Sequence, residues 1–195
     1  MKNYFRQFLL VVMTTIGCTY GAQAQGVYKT GGAGNSMKMS GTSTFHNWTM
    51  SAQTFNGEAQ FGLTGKVLAS VKSLTFTLLV EDLKGSEKGL DENAYKALKS
   101  GQYKNIVYKL TLAQVMPAKG NKYMVKTKGN LTIAGVTKEI IMDVWCIVNS
   151  DASVTCTGSD KLKMTDYEVK PPKFMLGAMT TGDDITLDFT AVYKP

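Results

Sequence analysis

The chain has 195 residues and a formal net charge of +7, and its 22 basic residues include a single arginine, Arg6. Because arginine is the usual reader of guanine edges and bidentate phosphate, a positive charge made almost entirely of lysine argues against nucleic-acid recognition. The chain also has a single histidine, His46, whereas the common catalytic zinc sites need several imidazoles, so we expect neither a metal site nor a cofactor.

The first 24 residues are typical of a secretory signal peptide. Lys2 and Arg6 precede a short apolar run at 8–16, and a small-x-small cleavage site follows at 22–24. The run is too short for a membrane-spanning helix, which needs roughly 20 apolar residues. We therefore expect a periplasmic or secreted protein with no transmembrane segment, whose single domain spans 25–195 and carries a charge of +5 from 20 lysines and 15 acidic residues. Lipidation at Cys18 is the minor alternative.

The first half of this domain reads as strands followed by a helix. Residues 38–50, 54–63 and 71–80 show strand composition and are separated by turn residues. Residues 89–101 break the pattern, because helix formers follow two acidic residues at the favourable amino end. This segment predicts a short helix over one end of the fold.

The second half contains the clearest strands. After a strand at 106–116, residues 122–133 and 136–148 alternate between apolar and polar side chains, and so does the last strand at 185–193. Period two with one polar face is typical of half-buried antiparallel strands. With a strand at 152–163, the chain contains eight strands joined mostly by short turns, which predicts an all-β, antiparallel up-and-down barrel or sandwich.

Two cysteines flank the turn between the predicted strands at 136–148 and 152–163. If Val148 faces Val154, the same register places Cys146 opposite Cys156, with both side chains in the apolar set. Opposed residues of this kind come within disulfide reach, and an exported protein meets an oxidising compartment, so we expect a structural bridge. Two buried free thiols are the alternative. A redox-active pair is disfavoured because there is no C-x-x-C motif.

Enzyme motifs are absent from the sequence. There is no G-x-S-x-G elbow, no phosphate-binding G-x-x-x-x-G-K-[ST] loop and no H-E-x-x-H. The apolar content that remains includes nine methionines after residue 24, and methionine adapts to flexible lipid chains as well as to ordinary cores. A small barrel either fills its interior with side chains or leaves room for one ligand.

Four stretches resemble the YceI-like family: GTSTFHNW (41–48), AYKALKSGQYKNIVYKL (94–110), GNLTIAGVTKEIIMDV (129–144) and TTGDDITLDFTAVY (180–193). The resemblance implies an exported, lipocalin-like barrel that binds long polyisoprenoid chains. The family commonly has an R-x-D-F-G-like segment before its last strands, where this chain has MTDYE at 164–168 and then Pro171-Pro172. The arginine of that segment is missing here, so the resemblance does not extend to the family's head-group contact, and the two prolines predict a rim loop.

The main hypothesis is therefore a non-catalytic carrier that holds an apolar chain, an isoprenoid or another lipid, inside the barrel. Its expected ligand-binding residues form pairs on five strands: Phe76, Leu78, Tyr108, Leu110, Val125, Leu131, Ile140, Met142, Leu187 and Phe189. Four further residues are possible contacts at the cavity mouth: His46, Trp48, Phe174 and Met175. The alternatives are a structural or interaction module with a packed core, and an exported enzyme that uses His46 as a base. The sequence does not indicate an oligomeric state.

Overall fold

The structure is a computed structural model that describes residues 25–31, 33–87 and 89–195, without the side chains of Gln25, Phe174 and Met175. The predicted signal peptide and the alternative lipidation site at Cys18 lie outside these residues. The elements in chain order are β1 (Gln25–Thr30), β2 (Ser36–Ser43), β3 (Asn47–Ala52), β4 (Asn56–Thr64), β5 (Val67–Leu79), β6 (Lys84–Gly85), α1 (Leu90–Ala97), β7 (Asn105–Pro117), β8 (Lys122–Ile133), β9 (Val136–Val148), β10 (Val154–Lys163), β11 (Lys173–Phe174) and β12 (Met179–Lys194).

Eight antiparallel strands close into a ring in the order β1-β4-β5-β7-β8-β9-β10-β12, and β12 returns to β1. The predicted fold class is confirmed. One edge of β12 pairs with β10. The opposite edge pairs with β2 over most of its length and with β1 at the carboxyl end of the strand. The β2–β3 hairpin therefore extends the wall of the barrel beside β12. No helix within the described ranges is long and apolar enough to cross a lipid bilayer.

The predicted strand at 38–50 is wrong, because it is two strands joined by a turn. Ser43 N donates to His46 O at 2.9 Å, which reverses the chain and lets β3 pair with β2. Its place in the ring belongs to β1, which we did not predict because six residues that include Gly26 carry little periodic signal. The helix lies where expected but is limited to Leu90–Ala97.

The two strands with the clearest alternation have the predicted bounds. β8 and β9 are joined by a two-residue turn in which Ala134 and Gly135 both have positive φ, 48° and 87°. This is the turn geometry that matches the twist of a hairpin, and glycine adopts it readily. In β8, Gly129 leaves space for the ring of Tyr108, which occupies the position that a Cβ atom would take.

The β9–β10 ladder is short, and this opens the wall at one end. The strands pair from Val148↔Val154 to Val144↔Gly158, after which β9 continues beside β8 and β10 beside β12. A 3-10 turn, Thr165–Tyr167, lies against β9 in the resulting gap. Its buried Tyr167 packs with Val169 in a cluster that includes Tyr108 and Leu131.

Candidate functional site

The two ends of the barrel are filled differently. At one end, Phe61 makes edge contacts with Tyr28 at 5.2 Å and with Tyr193 at 5.5 Å between ring centroids, and all three rings are buried. Tyr123 is buried at the same end, with its hydroxyl 3.5 Å from Lys66 O. Aromatic side chains thus close this end of the barrel.

Some inward-facing side chains between the two ends of the barrel are only partly buried. On β9, Val144, Cys146 and Val148 are buried at the closed end, whereas Ile140 and Met142 are only partly buried although they face inward. On β12, the inward-facing Leu187 and Phe189 are also only partly buried. Inward-facing apolar side chains that keep some accessible surface indicate a hollow interior rather than a solid core.

The hollow region is an inner cavity of 120 Å³ with an almost wholly apolar wall. All ten predicted ligand-binding residues line it: Phe76, Leu78, Tyr108, Leu110, Val125, Leu131, Ile140, Met142, Leu187 and Phe189. The strand alternation was sufficient to place them there, because period two fixes which side chains face inward. That they contact a ligand stays a prediction.

A larger space of 380 Å³, here called the mouth pocket, lies at the open end. It is bordered by the β2–β3 turn, by α1, and by the segment that runs from the end of β10 to the start of β12. Four residues line both the mouth pocket and the inner cavity, so the two spaces adjoin: Met39, Ile133, Leu162 and Ile185. Sequence reasoning missed these four, because the relative depth of strands is not visible in periodicity.

Two of the predicted mouth residues, His46 and Trp48, line the mouth pocket. His46 is at the β2–β3 turn, and its Nε2 lies 3.0 Å from Glu87 Oε2, in the loop that precedes α1. Trp48 is buried and donates from Nε1 to Thr42 O at 3.1 Å. The side chains of Phe174 and Met175 lie outside the described residues, so their predicted role stays a prediction.

Tyr167 is a polar residue of the mouth pocket that the sequence did not single out as a site residue. Its ring lines the pocket and its hydroxyl is buried, with no hydrogen-bond partner among the described residues. Burial, followed by the negative charges of Asp160 and Asp166, raises the pKa of Tyr167 to about 12. The hydroxyl therefore stays protonated near neutral pH and is a hydrogen-bond donor without an acceptor.

Deeper in the barrel, Tyr108 presents a second hydroxyl without a partner of hydrogen-bonding geometry. Burial raises the pKa of Tyr108, an effect that the neighbouring Thr127 hydroxyl partly offsets. Thr127 itself donates to Met142 O at 3.1 Å and so is committed elsewhere. Each buried hydroxyl of this kind costs about 1 to 3 kcal/mol when it stays unpaired.

Asp183 anchors the segment between β10 and β12 that borders the mouth pocket. Its carboxylate accepts hydrogen bonds from Thr165 N at 2.9 Å and Thr165 Oγ1 at 2.7 Å, and these bonds lower its pKa. Pro172 lines the mouth pocket and its carbonyl accepts from Thr181 N, so the Pro171-Pro172 segment is the rim loop that its sequence predicted.

The two cysteines face one another in the predicted register, Cys146↔Cys156, and both side chains point into the inner cavity. The predicted disulfide is not formed: both are free thiols, with the sulfur atoms 2.8 Å apart. The hydrogen bond with Cys146 and then burial raise the pKa of Cys156 well above its usual value. In the described part of the chain, no group of three or more His, Cys, Asp or Glu side chains is placed to hold a metal ion.

Comparison with known proteins agrees with this architecture. The model of the YceI-like domain matches residues 28–193, which is most of the sequence. The chain belongs to the YceI-like family. No curated protein sequence matches it.

Solved structures of other proteins share the YceI-like barrel. BcnA from Burkholderia cenocepacia superposes with a TM-score of 0.64 and 17% identity, covering 81% of this chain and 95% of BcnA. A polyisoprenoid-binding domain from Saccharophagus degradans gives a TM-score of 0.66 and 11% identity, covering 86% and 97% of the two chains. The YceI protein of Campylobacter jejuni gives 0.58 and 18%, covering 74% and 83%. At these sequence identities, the structural similarity establishes the fold of this protein and nothing beyond the fold.

Proposed function

We propose that this YceI-like protein binds one apolar ligand of the isoprenoid or a related lipid class. The hydrocarbon part of the ligand would lie inside the inner cavity, and its polar end would lie in the mouth pocket. The observation that carries the proposal is the partial burial of inward-facing residues such as Met142 and Phe189, which line the inner cavity. The polyisoprenoid-binding activity named for the Saccharophagus degradans neighbour supports the choice of ligand class.

The size and chemistry of the two spaces support this ligand class. The mouth pocket alone, at 380 Å³, falls within the roughly 300 to 1,000 Å³ that is typical of small-molecule sites. The wall of the inner cavity is apolar, so each methylene that moves there from water contributes about 0.8 kcal/mol. An interior packed for structure alone gives no reason for an open space at this position.

The polar end of the ligand is expected in the mouth pocket, near Tyr167. The protonated hydroxyl of Tyr167 is available to donate to a carbonyl or hydroxyl oxygen once a ligand displaces the side chains that shield it. The mouth pocket also contains the imidazole of His46, which is held by Glu87. These groups favour a neutral, oxygen-containing head over a bare hydrocarbon.

We further propose that the protein is not an enzyme. His46 is the only histidine of the chain, and its Nε2 is engaged by the Glu87 carboxylate. On the same turn, Ser43 Oγ donates to the backbone carbonyl of His46 at 2.8 Å rather than to the ring. This arrangement fixes the turn and leaves Ser43 without a base to activate it.

Export and a disulfide complete the proposal. The signal-peptide features at 1–24 support cleavage near Ala24 and a periplasmic or secreted location. The opposed cysteines would then be oxidised to a bridge by the thiol oxidants of that compartment. Mass measurement of the protein recovered from its own host tests the cleavage, because a chain that retains residues 1–24 contradicts it.

The test of ligand binding uses two leucines of β7 that differ in direction. Leu110 lines the inner cavity, whereas Leu112, beyond a bulge in the β7–β8 ladder, is 62% exposed on the outer wall. We expect Leu110→Trp to fill the cavity and to lower uptake of phytol, an isoprenoid alcohol, by at least tenfold in native mass spectrometry. Leu112→Trp should keep wild-type uptake. Failure of the wild-type protein to take up phytol, or equal loss in both variants, contradicts the proposal.

A further inference from the structure

Two large apolar side chains project into solvent beside the mouth pocket. Phe45 lies on the β2–β3 turn between Thr44 and His46 and is 68% exposed. Leu176 lies on the short 3-10 turn Met175–Gly177, between β11 and β12, and is fully exposed. Neither side chain packs in the core, so packing within the protein does not explain why a large apolar residue is present at either position.

The two turns are neighbours and form one side of the opening. Thr44 N donates to Thr180 O at 3.0 Å, and Thr180 N donates to Thr44 Oγ1 at 2.9 Å. Ser43 and Thr181, which pair between β2 and β12, both line the mouth pocket. We call the segments 41–47 and 169–182 together the mouth rim.

Leu176 is held in a backbone conformation that leucine disfavours. Its φ of 56° and ψ of 27° lie in the left-handed region, which residues other than glycine, asparagine and aspartate rarely adopt. Backbone strain of this kind is found more often at functional sites than elsewhere. Here the strain aims an apolar side chain away from the protein and beside the cavity opening.

The charges of the mouth rim are compatible with an anionic surface. Segments 41–47 and 169–182 contain Lys170, Lys173 and His46 but no acidic residue. Both lysines are exposed. Three carboxylates close to the mouth rim are engaged: Glu87 with His46, Asp183 with Thr165, and Asp184 with Lys163 at 3.8 Å. Asp166 and Glu168 are exposed at the base of the same segment and reduce the local positive charge.

We propose that the mouth rim docks on an anionic phospholipid bilayer, with the side chains of Phe45 and Leu176 inserted between the lipids and Lys170 and Lys173 at the head groups. Two side chains on separate loop tips are far smaller than a stable protein interface, which buries roughly 1,200 Å² or more. A bilayer has no such minimum area, because reversible binding to it adds up from each inserted apolar group and each basic side chain near anionic lipids. The inference rests on the proposed function for its purpose, since an apolar chain resides in membranes and would enter through this opening.

The experiment measures sedimentation of the protein with vesicles of phosphatidylcholine mixed with phosphatidylglycerol. We expect Phe45→Ser and Leu176→Asn each to lower the partition coefficient about tenfold, as loss of one large buried apolar side chain implies. The matched controls remove exposed side chains elsewhere: Val67→Ser at the start of β5, at the closed end, and Leu112→Asn on the outer wall. Both controls should bind like the wild-type protein. All the variants and the wild-type protein have the same N-terminal segment, so any contribution of that segment to vesicle binding is equal in all of them.

Charge is tested with two double variants that change the net charge equally. Lys170→Gln with Lys173→Gln should weaken binding to the mixed vesicles and reduce its dependence on salt, whereas Lys66→Gln with Lys119→Gln, at the closed end, should not. Leu176→Asn should not lower the melting temperature, because asparagine tolerates the left-handed conformation better than leucine. Loss of binding in this variant is therefore not a folding defect.

Three results would overturn the proposal. They are absence of wild-type sedimentation with the mixed vesicles, equal losses in the rim variants and in their controls, and equal losses in the two lysine pairs. Vesicle binding is measured without a cavity ligand, and phytol uptake is measured without vesicles. Failure of membrane docking therefore leaves the proposed cavity function standing, and failure of phytol uptake is recognised separately.

Discussion

The hydroxyl of Tyr167 destabilises the empty protein, because it is buried without a partner among the described residues. Buried polar groups without a partner are rare in native structures, and each of them needs a physical explanation. In the proposed complex, that explanation is a hydrogen bond to the oxygen of the ligand head. The stability of the empty protein and its affinity for the ligand should then respond oppositely when the hydroxyl is removed.

We predict that Tyr167→Phe raises the free energy of unfolding of the ligand-free protein by about 1 to 3 kcal/mol. The same change should weaken binding of phytol about fivefold, the equivalent of one hydrogen bond of ~1 kcal/mol, and leave binding of phytane, its hydrocarbon counterpart, unchanged. Urea unfolding and a fluorescence competition assay measure the two effects.

Tyr123→Phe is the matched control, because Tyr123 is equally buried but lies at the closed end, away from the mouth pocket. It should leave phytol and phytane binding as in the wild-type protein. Weaker binding of both ligands in Tyr167→Phe would mean that the ring position, and not the hydroxyl, had changed. A loss of stability would show that the hydroxyl has a partner after all.

Single residues were predicted unevenly from the sequence. The inward direction of Val125 or Met142 follows from alternation alone, and the structure places both on the inner cavity. His46 was read as part of a strand because 38–50 is rich in strand formers, yet it lies on a turn closed by a backbone hydrogen bond. Tyr167 gave no signal, since its burial depends on a gap between strands that no local pattern encodes.

At the scale of elements, the β9–β10 hairpin was predicted best. The alternating patterns of two strands and the positions of two cysteines agreed on a single register, and the structure has Val148↔Val154 and Cys146↔Cys156. The point at which this ladder ends was not predictable, because β9 keeps the same alternation beside β8 after it leaves β10. The short strands β1, β6 and β11 were missed for want of length.

The β9–β10 hairpin also carries the prediction about oxidation. We expect protein purified from its host without reductant to lack two hydrogen atoms relative to the reduced chain, and to be more stable than the reduced form by at most ~3 kcal/mol. The raised pKa of Cys156 makes the thiolate rare near neutral pH, so oxidation by air should be slow and oxidation by a disulfide catalyst fast. Intact mass measurement before and after thiol alkylation distinguishes the two forms.

The Cys146→Ala, Cys156→Ala double variant is the control for the stability comparison, because alanine buries no polar group in place of either thiol. Its free energy of unfolding should not respond to reductant, whereas that of the wild-type protein should fall. Full alkylation of both cysteines in unfolded protein that was never exposed to reductant would contradict the bridge and leave the two buried thiols seen in the structure.

For the whole molecule, the barrel follows from the sequence because closure needs only enough alternating strands of suitable length. The hollow interior does not follow, since Leu187 and Phe189 have the same alternation whether they meet neighbours or empty space. Whether the interior is hollow or packed depends on the distance between opposite walls of the barrel and on how the open end is covered. Both depend on the β2–β3 hairpin, α1 and the rim loop, which are the elements that the sequence defines least.

A ligand that occupies the interior must stabilise the whole barrel. Because the unfolded chain has no cavity, ligand at one hundred times its dissociation constant should add about 2.7 kcal/mol to the free energy of unfolding. For a domain of this length that corresponds to a rise in melting temperature of roughly 5 to 10 °C.

We predict this rise for the delipidated wild-type protein with phytol in differential scanning calorimetry, and nearly the same rise for Leu112→Trp. Leu110→Trp should show little rise, because its indole occupies the space. A rise of equal size in both variants would mean that phytol adheres to the outer surface, and no rise in the wild-type protein would mean that the cavity does not take it.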